Sequence, residues 1–424
     1  MTTDPFDALR GRDPTVEPDP DFVARLEARL LAAVPRTDRP HDDPPTDQER
    51  KEYPMVNIET VDLSHTRRRR AAVAAAAVAS AAAVIAGLVI VRSDGSSPNG
   101  PAATTSAPIA AALPPIGSLE SAGATAIPLA DRPTVRPTFL TAADGVVWLL
   151  RAGAVGDRID AATGTRQGDL PVATDPFTVG RPVVAFGSVW VRRSEDTVVR
   201  VDARTGTVAA TVTLPDSVAQ SAVWMPDIVV APDGIWTITV GERYLVRIDP
   251  ATNAVADRHL VGADALSVGY GDGSLWVSRA AAHVVSRIDP ADGRELARID
   301  VPVSPEYIVV GDSGVWVSGN RTGPSEPSVL VRIDPTTNRV VADVVVSDEP
   351  TGQPFVFDLA VGGGYVWTNA PDAQLVQVDA TTNTVVARYG SERSGGAVAV
   401  DGNVVWVTVR TPAATLYRLP IKHP

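Results

Sequence analysis

"LVRIDPATNAV", residues 245–255, is the stretch on which the fold turns. Its Arg-hydrophobic-Asp step and the polar run behind it return as "GDRIDAATGT" (156–165), "VVRVDARTGT" (198–207), "VSRIDPADGR" (285–294), "LVRIDPTTNR" (330–339) and "LVQVDATTNT" (375–384). Such a row of aspartates is either a row of ligands or a row of identical turns. The spacing favours turns. Four residues after Asp160, Asp202, Asp249, Asp289, Asp334 and Asp379 stand Gly164, Gly206, Asn253, Gly293, Asn338 and Asn383, residue types that tolerate a left-handed backbone. An Asp at the first turn position accepts from the backbone N–H groups ahead of it, and Pro250, Pro290 and Pro335 preset the next φ. The aspartates are therefore expected to cap hairpins.

A second signal runs in step with the first. Trp148, Trp190, Trp236, Trp276, Trp316, Trp367 and Trp406 recur at intervals of 39 to 51 residues, each in a short Val-rich strand. In six of the units the Asp turn follows 12 to 18 residues later. Asp144-Gly145, Asp233-Gly234, Asp272-Gly273 and Asp401-Gly402 mark tight turns just before the Trp strands. The unit reads as four short antiparallel strands without helical period. Seven such units predict an all-β, seven-bladed β-propeller, with the tryptophans packed from blade to blade. A propeller must close its ring or leave sheet edges open. "ATAIPLA", Ala124 to Ala130, resembles fourth strands such as "VAATVTLP" and is expected to pair beside Leu416 to Leu419, closing a propeller over 124–424.

The rest of the chain is different in kind. Residues 67–92 hold Arg67 to Arg70 followed by an uncharged apolar run, Ala71 to Val91. A run of about 21 residues is long enough to cross a hydrocarbon layer of roughly 30 Å. The positive-inside rule then predicts one transmembrane helix with a cytoplasmic N-terminus and an extracytoplasmic propeller; a cleaved signal peptide after a start at Met55 is the other reading. Residues 1–66 read as a mostly disordered tail with one amphipathic helix over about 20–34, where Phe22, Leu26 and Leu30 share a face. Residues 93–123 read as a Ser/Pro/Ala linker. With no cysteine there is no disulfide and no thiolate metal site. A net charge of -12 without a basic stripe excludes a nucleic-acid partner.

The units, as in "GSLWVSRAAAHVVSRIDPADGRELARIDV" (273–301), resemble YVTN-type and streptogramin lyase-like propellers, over about 300 residues. In the lyase the resemblance implies a Mg²⁺ ion, a histidine base and glutamates at the propeller mouth, with a Glu three residues after the second-strand aromatic. Here that place holds Arg151, Arg193 and Arg279. Two histidines fall well inside the domain: His259, in an outer strand, and His283, at the start of a third strand and the one catalytic candidate. The lyase constellation is not matched, and no cofactor or metal site is expected. The expected binding surface is the face carrying the loops between second and third strands and between blades, where loop lengths vary. Three are enlarged: 215–227 with Trp224 and Met225, 319–328 with Arg321, and 347–358 with Phe355. Arg151, Arg193, Arg279 and Arg410 are placed around the same mouth. Aromatic anchors beside arginines suit an extracytoplasmic protein, peptide or glycan ligand. The alternatives are a lyase or hydrolase, and a transmembrane sensor whose tail docks a cytoplasmic regulator.

Overall fold

The computed structural model describes residues 112–129, 137–151, 154–173, 180–215, 217, 227–241, 243–321, 327–349, 358–390, 395–409 and 414–422. The tail with its expected helix and the apolar span lie outside the described residues. Seven sheets, each built on four antiparallel strands, follow one another along the chain, and the first strands of neighbouring sheets contact each other around a common axis. The fold is a seven-bladed β-propeller. Blade 3 shows the plan: Ile228–Ala231 lies innermost, then Gly234–Ile238 with Trp236, then Tyr244–Asp249, then Ala254–Leu260 outermost.

Burial follows position in the blade. The Trp strands are buried on both faces because each blade is sandwiched between two others. The outermost strands alternate exposed and half-buried residues, the pattern of a sheet edge that meets water. All seven repeat tryptophans are fully buried. Each joins the apolar cluster of the next blade, as Trp276 does with Ile308, Val315 and Val317. The series closes on itself, since Trp406 of blade 7 packs with Leu140, Val147 and Leu149 of blade 1.

The Asp turns form as the spacing predicts. The Asp160, Asp202, Asp249, Asp289, Asp334 and Asp379 carboxylates accept backbone N–H groups two residues ahead at 2.7–3.0 Å. The residues four positions on all have φ between +54° and +73°. The arginine of the repeat has a separate task. Arg200, Arg287 and Arg332 stack over Trp190, Trp276 and Trp316 at 5.0–5.6 Å. Each also donates to the turn of the next blade, at Asn253, Asn338 and Asn383 Oδ1. The motif is thus a clamp between blades. Where the turn carries Gly, a side chain lies directly over it: a Cβ at Gly206 would meet Arg158, and one at Gly293 would meet His259. His259 stacks on Trp236 at 5.9 Å, taking the place the arginines hold elsewhere.

Thr125–Pro128 pairs antiparallel with Thr415–Pro420, Ile127 opposite Leu416, and supplies the fourth strand of blade 7. The expected linker over 93–123 needs correction at its end. Ile116–Gly117 runs parallel to Thr384–Tyr389 as a fifth strand on the outer edge of blade 6. Leu119 is buried in the Trp367 cluster, and the Tyr417 hydroxyl donates to Glu120 at 2.8 Å. Composition missed this because two paired residues and one buried leucine are enough to dock a segment on an open sheet edge.

Candidate functional site

In a four-stranded meander, the first-to-second and third-to-fourth turns share one face. The second-to-third loops and the blade connections share the other, the mouth. Arg193 and Arg279 stand at strand ends on the mouth side, His283 directly precedes one such end and Arg321 directly follows another. They do not converge. Arg193 is exposed. Arg279 pairs with Asp264 at 2.9 Å, and Arg321 pairs with Asp343. His283 has φ +55° and its Nδ1 lies 2.9 Å from the Val303 carbonyl oxygen, so its imidazole is used in holding a loop. The expectation of a mouth-facing Arg151 is corrected: it is 1 % exposed, with Nε 2.5 Å from Asp157 Oδ2, because the adjoining third strand brings a carboxylate against it. Trp224, Met225, Phe355 and Arg410 lie outside the described residues.

Two features were not read from the sequence. The first is Arg192, beside the expected Arg193 and fully buried. It donates to Thr237 Oγ1 and to the Ile238 carbonyl of the next blade, both at 2.8 Å. Burial, then the charge of Arg243, pushes its pKa down to about 9.

The second lies on the axis. Nine residues ahead of each repeat tryptophan stand Phe139, Arg181, Asp227, Ser267, Tyr307, Asp358 and Ala397. These equivalent positions enter the inner strands at the mouth end and meet across the channel. Phe139 of blade 1 and Tyr307 of blade 5 have ring centroids 6.4 Å apart. Arg181 of blade 2 pairs with Asp358 of blade 6. Asp227 accepts from the Ser267 hydroxyl at 2.7 Å, and Asp358 accepts from the Val398 N–H of blade 7 at 2.8 Å. The result is a buried belt holding two carboxylates and one guanidinium.

Electrostatics in the belt follow burial. Loss of water raises the Asp227 pKa, and neither the Arg181 charge nor the Ser267 hydroxyl fully offsets it. Burial opposes the Arg181 charge, but Asp358 and Asp227 together hold it above its ordinary value. Burial, with Asp227 and Asp358 nearby, keeps Tyr307 protonated. Beside the belt, burial lifts Glu306 to about 8, against the lowering hydrogen bond from Asn320. Such a belt can hold a polar or charged group away from water. Among the described residues, no three His, Asp or Glu side chains gather as a metal site would need.

Comparison with known proteins gives architecture. No protein-family model and no curated protein matches the chain. Among solved structures, hydrazine synthase of Kuenenia stuttgartiensis is similar at TM-score 0.55 and 15% identity, covering 68% of this chain and 96% of that one. BamB of Moraxella catarrhalis is similar at TM-score 0.46 and 13% identity, covering 68% and 84%. The computationally designed Ika8 protein is similar at TM-score 0.47 and 12% identity, covering 67% and 96%. The likeness is one of fold. At such identities the propeller's activity must be argued from its own side chains.

Proposed function

We propose that the chain is a membrane-anchored, extracytoplasmic binding module that presents its mouth face to a protein, peptide or glycan. The observation that carries this reading is the contrast between the two faces. On the turn face the Asp carboxylates are spent on their own loops. On the mouth face the strand ends lead into connections enlarged in sequence, which contain Trp224 and Phe355, and Arg193 is exposed at one strand end of that face. Variable loops on a rigid scaffold are where binding residues concentrate. The anchor rests on Arg67 to Arg70 ahead of the apolar run to Val91.

Two measurements test the reading. Protease added to intact spheroplasts should digest the propeller; protection until lysis would overturn the topology. Cross-linking in native membranes should then identify a partner. Trp224→Ala should weaken that partner's binding at least tenfold, the loss of about 1.4 kcal/mol or more that an aromatic anchor brings. Asp249→Ala, on the opposite face, should leave it unchanged. Equal losses from both substitutions would make the mouth assignment wrong.

A further inference from the structure

Below the belt, towards the turn face, the axis holds a cavity of about 230 Å³. Inner strands of five consecutive blades line it, with Val183, Val229, Gly269, Val309 and Val361 as its apolar wall and Arg181 and Asp227 at its polar end. Ile228, Val268 and Ile308 beside the belt are buried, while Val230, Tyr270 and Val310 nearer the turns are partly exposed. The cavity is thus an apolar well that opens on the turn face and ends at a charged floor.

The floor is polar. Arg181 is paired with Asp358, and the Asp227 carboxylate is left with the Ser267 hydroxyl on Oδ2 and the Arg181 backbone N–H beside it. Asp227 is 5 % exposed, and its Oδ1 is buried without a hydrogen-bond partner among the described residues. A buried carboxylate oxygen without a donor is costly, and a cation beside it would hold Asp227 ionised against the burial that raises its pKa. An apolar enclosure with one well-placed polar group is the usual form of a small-molecule site. We propose that this well binds a small primary ammonium carried on a short apolar body, with the ammonium donating to Asp227 Oδ1 and the hydrocarbon against the valines. A water occupies about 30 Å³, so the well suits a ligand of about seven non-hydrogen atoms. Pairing with Asp358 neutralises Arg181, so the guanidinium does not repel an ammonium there. This site is separate from the mouth, and its failure would leave the mouth reading standing.

The test uses the full chain and three probes of similar shape: isopentylamine, isopentanol and isovalerate, titrated by calorimetry at pH 7. The amine should bind at least tenfold more tightly than the alcohol, and isovalerate should be weakest. Asp227→Asn should abolish the preference for the amine while leaving alcohol binding within about twofold. Val229→Phe, which fills the well without touching the belt, should abolish binding of amine and alcohol alike. That second variant keeps the test decisive if Asp227→Asn fails to fold. Equal affinities for amine and alcohol, tighter binding of isovalerate, amine binding that survives Val229→Phe, or no binding of the amine would each overturn the proposal.

Discussion

The turn rim and the axial belt are built from equivalent positions of the same repeat, yet they solve opposite problems. At the rim, six blades place an Asp, and each Asp is satisfied within five residues of its own chain. On the axis, seven equivalent positions hold six different residue types, and their polar groups find partners one blade away or across the ring. Repetition suits a local problem, because every turn must be made the same way. The axis is a single shared space, so identical side chains there would bring seven like groups together. The rim therefore stabilises each blade separately, whereas the belt ties blades that are distant in sequence.

The largest expected effect tests that difference directly. Arg181→Met removes the cation between Asp358 and Asp227 and leaves buried carboxylates uncompensated. Breaking a buried pair on one side costs about 3–5 kcal/mol, and equilibrium denaturation should show a loss of about 3 kcal/mol or more. A loss no greater than that of a rim substitution would erase the contrast between belt and rim.

Glu306 gives a smaller effect with a definite sign. Its folded pKa, about 8, lies above its ordinary value of 4.5. The folded state therefore holds a proton over that range that the unfolded state has released, so this group's contribution falls as pH rises from about 4.5 to about 8. Glu306→Gln removes the penalty. The variant should gain about 1 kcal/mol or more over wild type at pH 8, since one pKa unit corresponds to about 1.4 kcal/mol, and should differ little at pH 5. A gain independent of pH would assign the effect to packing instead of ionisation.

The rim substitution is the mildest. Asp249→Ala loses one turn cap and should cost about 1 kcal/mol, read as a shift of the thermal midpoint without loss of cooperativity. Asn383→Gly sharpens the point by removing the side-chain acceptor of Arg332 in the next blade's turn while keeping the left-handed backbone and the Ala380 carbonyl acceptor. If it costs more than Asp249→Ala, the clamp between blades outweighs the local cap.

Local chemistry was legible. The Gly/Asn rule for the turns, the Trp period and the closing strand near Ile127 all rest on contacts between a residue and its near neighbours or on a strict repeat. The arginine of the motif was only half legible: its partner is a tryptophan 10 to 16 residues back, but its second partner is the next blade's turn, about 50 residues on. Arg151 and Arg192 were misjudged or missed for a related reason. Charge alone does not tell an exposed strand end from a buried one, and Arg192 and Arg193 differ only in which way the strand points them. Asp227 and Asp358 did leave a trace, since each stands nine residues ahead of its tryptophan, but spacing does not say that they share one cation.

By itself the sequence determined the number of blades, the turn face and the apolar span, because each is written in periodic or contiguous residues whose physics is local. Only the tertiary structure decided which charges lie in water and which on the axis. Ring closure brings residues about 180 positions apart, such as Arg181 and Asp358, into one dry space, and burial there sets which partners they take.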